Sequence, residues 1–200
     1  MHYLNSNLFN NTATLKNKFS SAKPFKHIFI ENFLDEKTVE VLFKELKNQE
    51  FEEKEADLFH LYQTKDFFNL ENGKLSEFYE YFKGKEVKKL IEELTGIKLK
   101  GKIDMAGSLY KDTNFLLCHD DELSGRKIAF LIYLPKNFEE KDGGSFVLFD
   151  SKNEKPLNKT IKYLPKWNSF LMFEVSKISF HEVEEVIGKK ERYAIGGWFH

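Results

Sequence analysis

The chain has 200 residues, with 31 basic and 32 acidic side chains and a formal net charge of −1, so it offers no electrostatic footprint for a nucleic-acid backbone, and duplex binding is disfavoured. Its one cysteine, Cys118, cannot form an internal disulfide, and no apolar run approaches the roughly 18 residues of a membrane span, which predicts a cytoplasmic protein with neither staples nor a membrane anchor. A hydrophobic content of 41%, with 21 Phe, and the lack of any Pro- or Gly-rich linker predict a single globular unit with a full core.

Residues 1–24 contain no Asp, Glu or Arg, carry Lys16, Lys18 and Lys23 among Asn and Ser, and show no clear amphipathic repeat. They read as a flexible leader rather than a transit peptide, and the predicted domain covers 25–200, with helical support over 25–100. A strand is expected over Phe25 to Ile30. Asp35 is placed as the N-cap of a helix over about 36–48, because Val39, Leu42, Phe43 and Leu46 follow at helical spacing. A second strand is expected over 57–63, with His60 as a surface or strand-pair residue. From Leu75 to Leu94 the apolar positions have helical spacing, Gly84 separates two helices, and Gly96 ends the second as a left-handed cap. This aromatic and aliphatic stripe reads as packing against a sheet.

After Gly101 the pattern changes to short apolar runs separated by turn residues. Eight runs fall near 102–110, 115–119, 127–134, 144–150, 160–164, 168–175, 179–186 and 191–199. Eight short strands over 101–200 predict a double-stranded β-helix, or jelly roll, of antiparallel strands. With the preceding helices packed on one outer face, the fold class is α+β.

This second half carries the chemistry. His119-Asp120-Asp121 is a His-x-Asp, and His181 and then Arg192 follow at long range. Two imidazole nitrogens and one carboxylate are the donor set of the facial triad that binds divalent iron in non-haem oxygenases. In a strand, residues two apart share a face, so His119 and Asp121 can converge while Asp120 faces away. The bland reading is a strand-end histidine beside solvated acids. His181 lies within the apolar stretch Ile178 to Val183, where an unpartnered imidazole is costly, and the second and seventh strands of a jelly roll can lie side by side. Arg192, opening the last strand, is either a salt-bridge partner of Glu191 or Glu182 or a bidentate clamp for a carboxylate. Tyr133 could add a phenolic donor to the same carboxylate, or be a core aromatic. Cys118 must face away from His119 and reads as an inert buried thiol. Asp120, Asp121, Glu122 and Asp142 form either an acidic rim attractive to basic substrates or solvated turns. His2, His27 and His200 read as structural.

The stretches Leu116 to Leu123, Arg126 to Leu134, Phe180 to Val183 and Gly197 to His200 together resemble the catalytic domain of the iron- and 2-oxoglutarate-dependent prolyl hydroxylases that modify a small-subunit ribosomal protein. The similarity extends upstream through Asn32 to Glu36 and Asp57-Leu58, covering nearly everything after about Pro24. The resemblance implies that His119, Asp121 and His181 bind Fe(II), that Arg192 and Tyr133 hold the distal carboxylate of 2-oxoglutarate, and that Tyr110 lies near this co-substrate. It further implies O2 as second co-substrate, ascorbate as a stimulant, and a protein partner with a target proline, ribosomal in origin. Eukaryotic members of the family carry a second, non-catalytic jelly-roll domain, whereas this sequence reaches only His200.

Three other readings remain open at this level. A single domain could hydroxylate a free amino acid or other small molecule. It could also be a non-catalytic module that senses 2-oxoglutarate or oxygen and transmits occupancy to a partner. A zinc hydrolase is the other metal option, but no general base is identifiable beside the triad.

Overall fold

The computed structural model describes residues 3–123 and 125–200, so Met1, His2 and Ser124 lie outside the described residues. The chain opens with a single helical turn, α1 (Asn7–Asn10), and a helix, α2 (Thr12–Ser21), followed by strand β1 (His27–Glu31) and helix α3 (Glu36–Lys47). Asp35 caps α3 as expected: its Oδ1 accepts the backbone N–H groups of Lys37 and Thr38 at 3.0 and 3.3 Å, while Val39, Leu42 and Leu46 turn inward. A hairpin of β2 (Glu52–Ala56) and β3 (Phe59–Gln63) comes next. The strand expected over 57–63 therefore begins two residues later, and Asp57-Leu58 forms its turn. No large apolar side chain marks β2, whose sequence is EEKEA.

Helices α4 (Lys74–Phe82) and α5 (Lys85–Thr95) flank Gly84, and Gly96 closes α5 at φ 75° with its N–H donating to the Glu92 carbonyl. Eight strands then follow: β4 (Ile103–Tyr110), β5 (Phe115–His119), β6 (Ile128–Tyr133), β7 (Phe146–Lys152), β8 (Lys155–Tyr163), β9 (Ser169–Glu174), β10 (His181–Val183) and β11 (Arg192–Phe199). Each overlaps one of the eight predicted runs.

The strands are hydrogen-bonded in the order β1-β9-β6-β11-β4-β3-β5-β10-β7-β8, with β2 on the side of β3. Strands β1-β9-β6-β11-β4 form one wall of the jelly roll and β5-β10-β7-β8 the other. Strand β3 joins the two walls, pairing Tyr62 and Gln63 with Leu109 and Ser108 of β4, and Phe59 and His60 with Leu116 and Phe115 of β5. The expected division at residue 100 into helical support and strand core is thus crossed by the sheet itself, since β1 and β3 from the first half are built into it.

Alternation along the first wall separates two interiors. Ile103, Met105 and Leu109 of β4, with Tyr193, Ile195 and Phe199 of β11, face the helix layer and share one buried cluster with Leu42, Leu46, Phe78, Phe82 and Ile91. Their alternates, among them Ala106, Ser108, Tyr110, Arg192 and Trp198, line the cavity between the walls. Two glycines permit this layering. A Cβ on Gly107 would sit 2.4 Å from Leu46 Cδ1 of α3, and one on Gly197 would sit 1.8 Å from the Asp104 carbonyl oxygen. Phenylalanines form the seam between helices and sheet. Phe33 stacks on Phe170 at 4.0 Å, and Phe82 meets Phe130 at 5.0 Å and Phe199 at 5.6 Å. Such aromatic pairs contribute about 0.5–1.5 kcal/mol each beyond the area they bury.

Among the described residues, 3–24 do not form the flexible leader read from the composition of 1–24. Tyr3, Leu4, Leu8 and Phe19 are buried in the helix-layer core, α2 packs on α5, and Asn5 and Asp35 donate backbone hydrogen bonds to the Phe33 and Tyr3 carbonyls. So few apolar side chains among Asn, Ser and Lys produce too weak a periodic signal to reveal a packed helix. Phe19 is 0% exposed, so Phe19→Ala should lower unfolding stability by about 3–5 kcal/mol in urea titration; a loose leader would show no change.

Candidate metal and co-substrate site

The site starts from a strand register. β10 pairs antiparallel with β5, His181 lies directly opposite His119, and the two imidazole centroids are 4.2 Å apart. The register then shifts, so that Val183 lies opposite Leu116. One extra residue is thereby accommodated in β5, a β-bulge. Leu116 and His119, three positions apart, both face the interior, while Leu117 is exposed and Cys118 packs outward against the cluster of Val147, Phe149 and Phe180. Cys118 is only partly buried, and burial pushes its thiol up to about 11.

Asp121 reaches the site by a different route from the one its spacing predicts. β5 ends at His119, and Asp121 takes a left-handed backbone conformation, φ 63°, one of the few non-glycine residue types that tolerate it. That turn, not strand alternation, returns its carboxylate to the histidines. Asp121 Oδ1 is 3.5 Å from His119 Nε2, and Oδ2 is 3.5 Å from His181 Nε2. The donor atoms of His119, Asp121 and His181 all lie within 4.8 Å of one another.

Both imidazoles are held in the tautomer a metal needs. His119 Nδ1 donates to the Leu117 carbonyl and His181 Nδ1 to the Ser179 carbonyl, each at 2.8 Å. A ring nitrogen facing a carbonyl oxygen carries the proton, so in the neutral rings the Nε2 lone pairs are directed at the Asp121 side. Burial holds the His181 pKa down to about 4, against the pull of Asp121. Burial also works against a charge on His119, but the Asp121 carboxylate outweighs it and its pKa is raised. Burial opposes ionisation of Asp121, yet His119, His181 and Trp198 bring its pKa down to about 2. Phe146, stacked on His181 at 4.9 Å, and Phe173, at 4.6 Å, wall the ring in. Two imidazole nitrogens and one anionic oxygen, desolvated and pre-oriented, form a chemically fitting set for divalent iron.

Farther into the same cavity of ≈ 170 Å³ lies Arg192, 0% exposed. Its Nε and Nη2, and the hydroxyl of Tyr133, are buried with no hydrogen-bond partner among the described residues. The guanidinium carbon is 4.8 Å from the Tyr110 ring and 5.1 Å from the Tyr133 ring, and Tyr110 is the cross-strand partner of Arg192. Burial pushes the Tyr110 phenol up to about 12 and the Tyr133 phenol higher, so both stay protonated donors. The salt-bridge reading of Arg192 is not met. Glu182 pairs with Lys159 at 2.5 Å, and Glu191 accepts from Tyr193 Oη at 3.0 Å. A buried guanidinium left without an anion costs several kcal/mol. The forked donors and the adjacent phenol therefore fit a carboxylate arriving through the cavity.

Several other sequence expectations resolve simply. His60 bonds to Glu53 at 2.8 Å, His27 lies between the Phe25 carbonyl and the Tyr163 hydroxyl, each at 2.8 Å, and His200 bonds to Asp104 at 2.8 Å. Asp142 does not belong to an acidic rim: it is buried, accepts the Glu139 N–H at 2.7 Å and pairs with Lys190 at 2.8 Å. Asp120 accepts the Glu122 N–H at 3.0 Å as a local turn. Two residues at the site were not anticipated. Trp198 Nε1 donates to Asp121 Oδ2 at 3.1 Å, and Arg126 Nη1 lies 3.4 Å from Asp121 Oδ1. The signal for Trp198 was present, because it stands six residues after Arg192 on the same strand and so on the same face.

Residues 105–200 match the family model of the 2OG-Fe(II) oxygenase superfamily. The chain is 37% identical to prolyl 3-hydroxylase OGFOD1 of Mus musculus over 180 residues, 88% of this chain and 33% of that protein. It is 35% identical to the Xenopus laevis protein of the same name over 182 residues, 88% of this chain and 35% of that one. It therefore spans about a third of the length of the curated relatives it matches. Its fold is similar to that of a Pseudomonas putida prolyl-4-hydroxylase, with a TM-score of 0.75 at 17% identity, covering 93% of this chain and 98% of that one. It is also similar to that of a Trichoplax adhaerens prolyl hydroxylase, with a TM-score of 0.76 at 18% identity, covering 98% and 93%. The stretch that carries every residue of the site thus matches the 2OG-Fe(II) oxygenase superfamily, which implies Fe(II), 2-oxoglutarate and O2 as the cofactor set.

Proposed function

We propose that this chain hydroxylates a prolyl residue within a protein, with His119, Asp121 and His181 holding Fe(II), and Arg192, Tyr133 and Tyr110 holding 2-oxoglutarate. One observation supports this above the rest: a single cavity joins a His-Asp-His cluster to a buried guanidinium and phenol that have no partner among the described residues. Bound together, the metal, the co-substrate and O2 supply oxidative decarboxylation coupled to hydroxylation of an unactivated C–H bond. The chain's own residues bind, orient and exclude water. Arg192 meets the distal carboxylate with paired N–H donors, and Tyr133 adds an O–H that its raised pKa keeps protonated. Asp121 stays ionised, while Phe146 and Phe173 keep bulk water from the histidine side.

The names of the curated relatives support a proline in a protein as the target and C3 as its site of oxidation. A small-subunit ribosomal protein is the finer candidate that the sequence resemblance implies. A cytoplasmic setting fits the single unpaired cysteine, and among the described residues no helix is long and apolar enough to cross a membrane.

The direct test supplies purified protein with Fe(II), ascorbate, 2-oxoglutarate and a panel of basic proline-containing peptides. Succinate release with one oxygen added to proline is expected, and His119→Ala should abolish both. Absence of turnover across the panel would overturn the proposal. Turnover of free proline instead would favour the small-molecule alternative, and cellular function surviving in His119→Ala would favour a sensing module.

Arg192 gives a second test with opposite signs for binding and folding. Arg192→Met removes a buried charge that lacks an anion, so thermal stability of the protein without co-substrate should hold or rise. Its affinity for 2-oxoglutarate, measured calorimetrically, should fall by about 2–5 kcal/mol. Tyr133→Phe should cost about 1.5–3 kcal/mol of the same affinity. A drop in stability with unchanged binding would assign Arg192 to folding.

A further inference from the structure

Asp121 is the one member of the trio that no strand holds. Its left-handed turn lies beyond the end of β5, so the orientation of its carboxylate has to be set by groups outside its own backbone. Each oxygen has one histidine and one outer donor. Oδ1 lies between His119 Nε2 at 3.5 Å and Arg126 Nη1 at 3.4 Å, and Oδ2 between His181 Nε2 at 3.5 Å and Trp198 Nε1 at 3.1 Å. The indole contact is the shortest of the four. Trp198 is also the most rigidly mounted outer donor, because β11 holds it between Asp104 of β4 and Ala129 of β6. The indole plane is fixed in turn by Arg126, whose guanidinium carbon lies 3.4 Å over the ring.

We propose that Trp198 is a positioning residue for the metal centre, its Nε1–H aiming the Asp121 carboxylate at the two histidines, with Arg126 locking the indole by stacking on it. The assignment rests on reading His119, Asp121 and His181 as metal ligands. A carboxylate on a turn beyond the strand would otherwise lose rotational freedom when it takes up a metal, and a hydrogen bond made in advance removes that cost. Arg192 belongs to the co-substrate end of the cavity, so the role of Trp198 concerns metal affinity and not the affinity for 2-oxoglutarate.

The test reads metal binding directly. Mn(II) titration followed by electron paramagnetic resonance should give a Kd for Trp198→Phe about 10- to 100-fold weaker than for the unaltered protein, because Phe keeps the ring and the stack but lacks the N–H. Thermal melting of the metal-free variant checks that it is folded. Wild-type affinity in folded Trp198→Phe would overturn the proposal. A second measurement does not depend on that variant. The chain has two tryptophans, and Trp167 packs on Phe43 and Lys136, away from the site. In 15N-labelled protein, Zn(II) and the substitution Asp121→Asn should each move one indole N–H resonance and leave the other unmoved. Two unresponsive indole signals would overturn the proposal as well. Failure of the underlying reading looks different: the unaltered protein would show no Mn(II) binding that His119→Ala removes.

Discussion

The antiparallel pairing of β10 with β5 is the constraint on which everything else at the site depends. β10 has only three residues, and a slip of one position would send His181 to the outer face of the sheet. The register is pinned from both sides. On the β7 edge, His181 lies opposite Leu148 and Val183 opposite Phe146, and Val183, Phe146 and Leu148 are buried in one apolar cluster. On the β5 edge, the bulge lets Leu116 and His119 both face inward. Burial of neighbouring apolar side chains therefore sets where the two imidazoles meet.

The deep end of the cavity is organised on the opposite principle. Arg192 is buried without an anion among the described residues, which weakens the fold locally and leaves its donors ready for a carboxylate. Stacking on Tyr110 and Tyr133 offsets part of that cost. The remainder is borne by the rest of β11, whose other face places Tyr193, Ile195 and Phe199 in the helix-layer core. The same strand carries Trp198 to the His-Asp-His cluster. Helices that touch no reacting group thus hold both ends of the site at a fixed separation, and residues 3–21 take part in that support.

Electrostatics within the trio follow from burial and one carboxylate. Desolvation alone would neutralise all three side chains. Asp121 stays ionised because two imidazoles and an indole N–H surround it, and His181 stays neutral because it is the more deeply buried ring. The arrangement supplies one carboxylate and two imidazole nitrogens, a donor set suited to a dication.

The sequence by itself determined the elements after Pro24 apart from β2, the jelly roll, and four of the polar residues that face one cavity. Apolar periodicity, turn residues and the Asp35 cap act over a few positions, so they are legible without a partner in view. Spacing also pointed to His119, Asp121, His181 and Arg192, since unpaired polar groups in apolar strands require partners. Only the tertiary structure decided how these groups meet. The bulge in β5, the left-handed turn at Asp121, the bridging place of β3, the burial of Asp142 beside Lys190 and the packing of Phe19 each depend on contacts between distant segments. Trp198 became a site residue only once β11 lay beside the loop that carries Asp121. Register and cross-strand neighbours are fixed by energies summed over many non-local contacts, and no local stretch of sequence contains that sum.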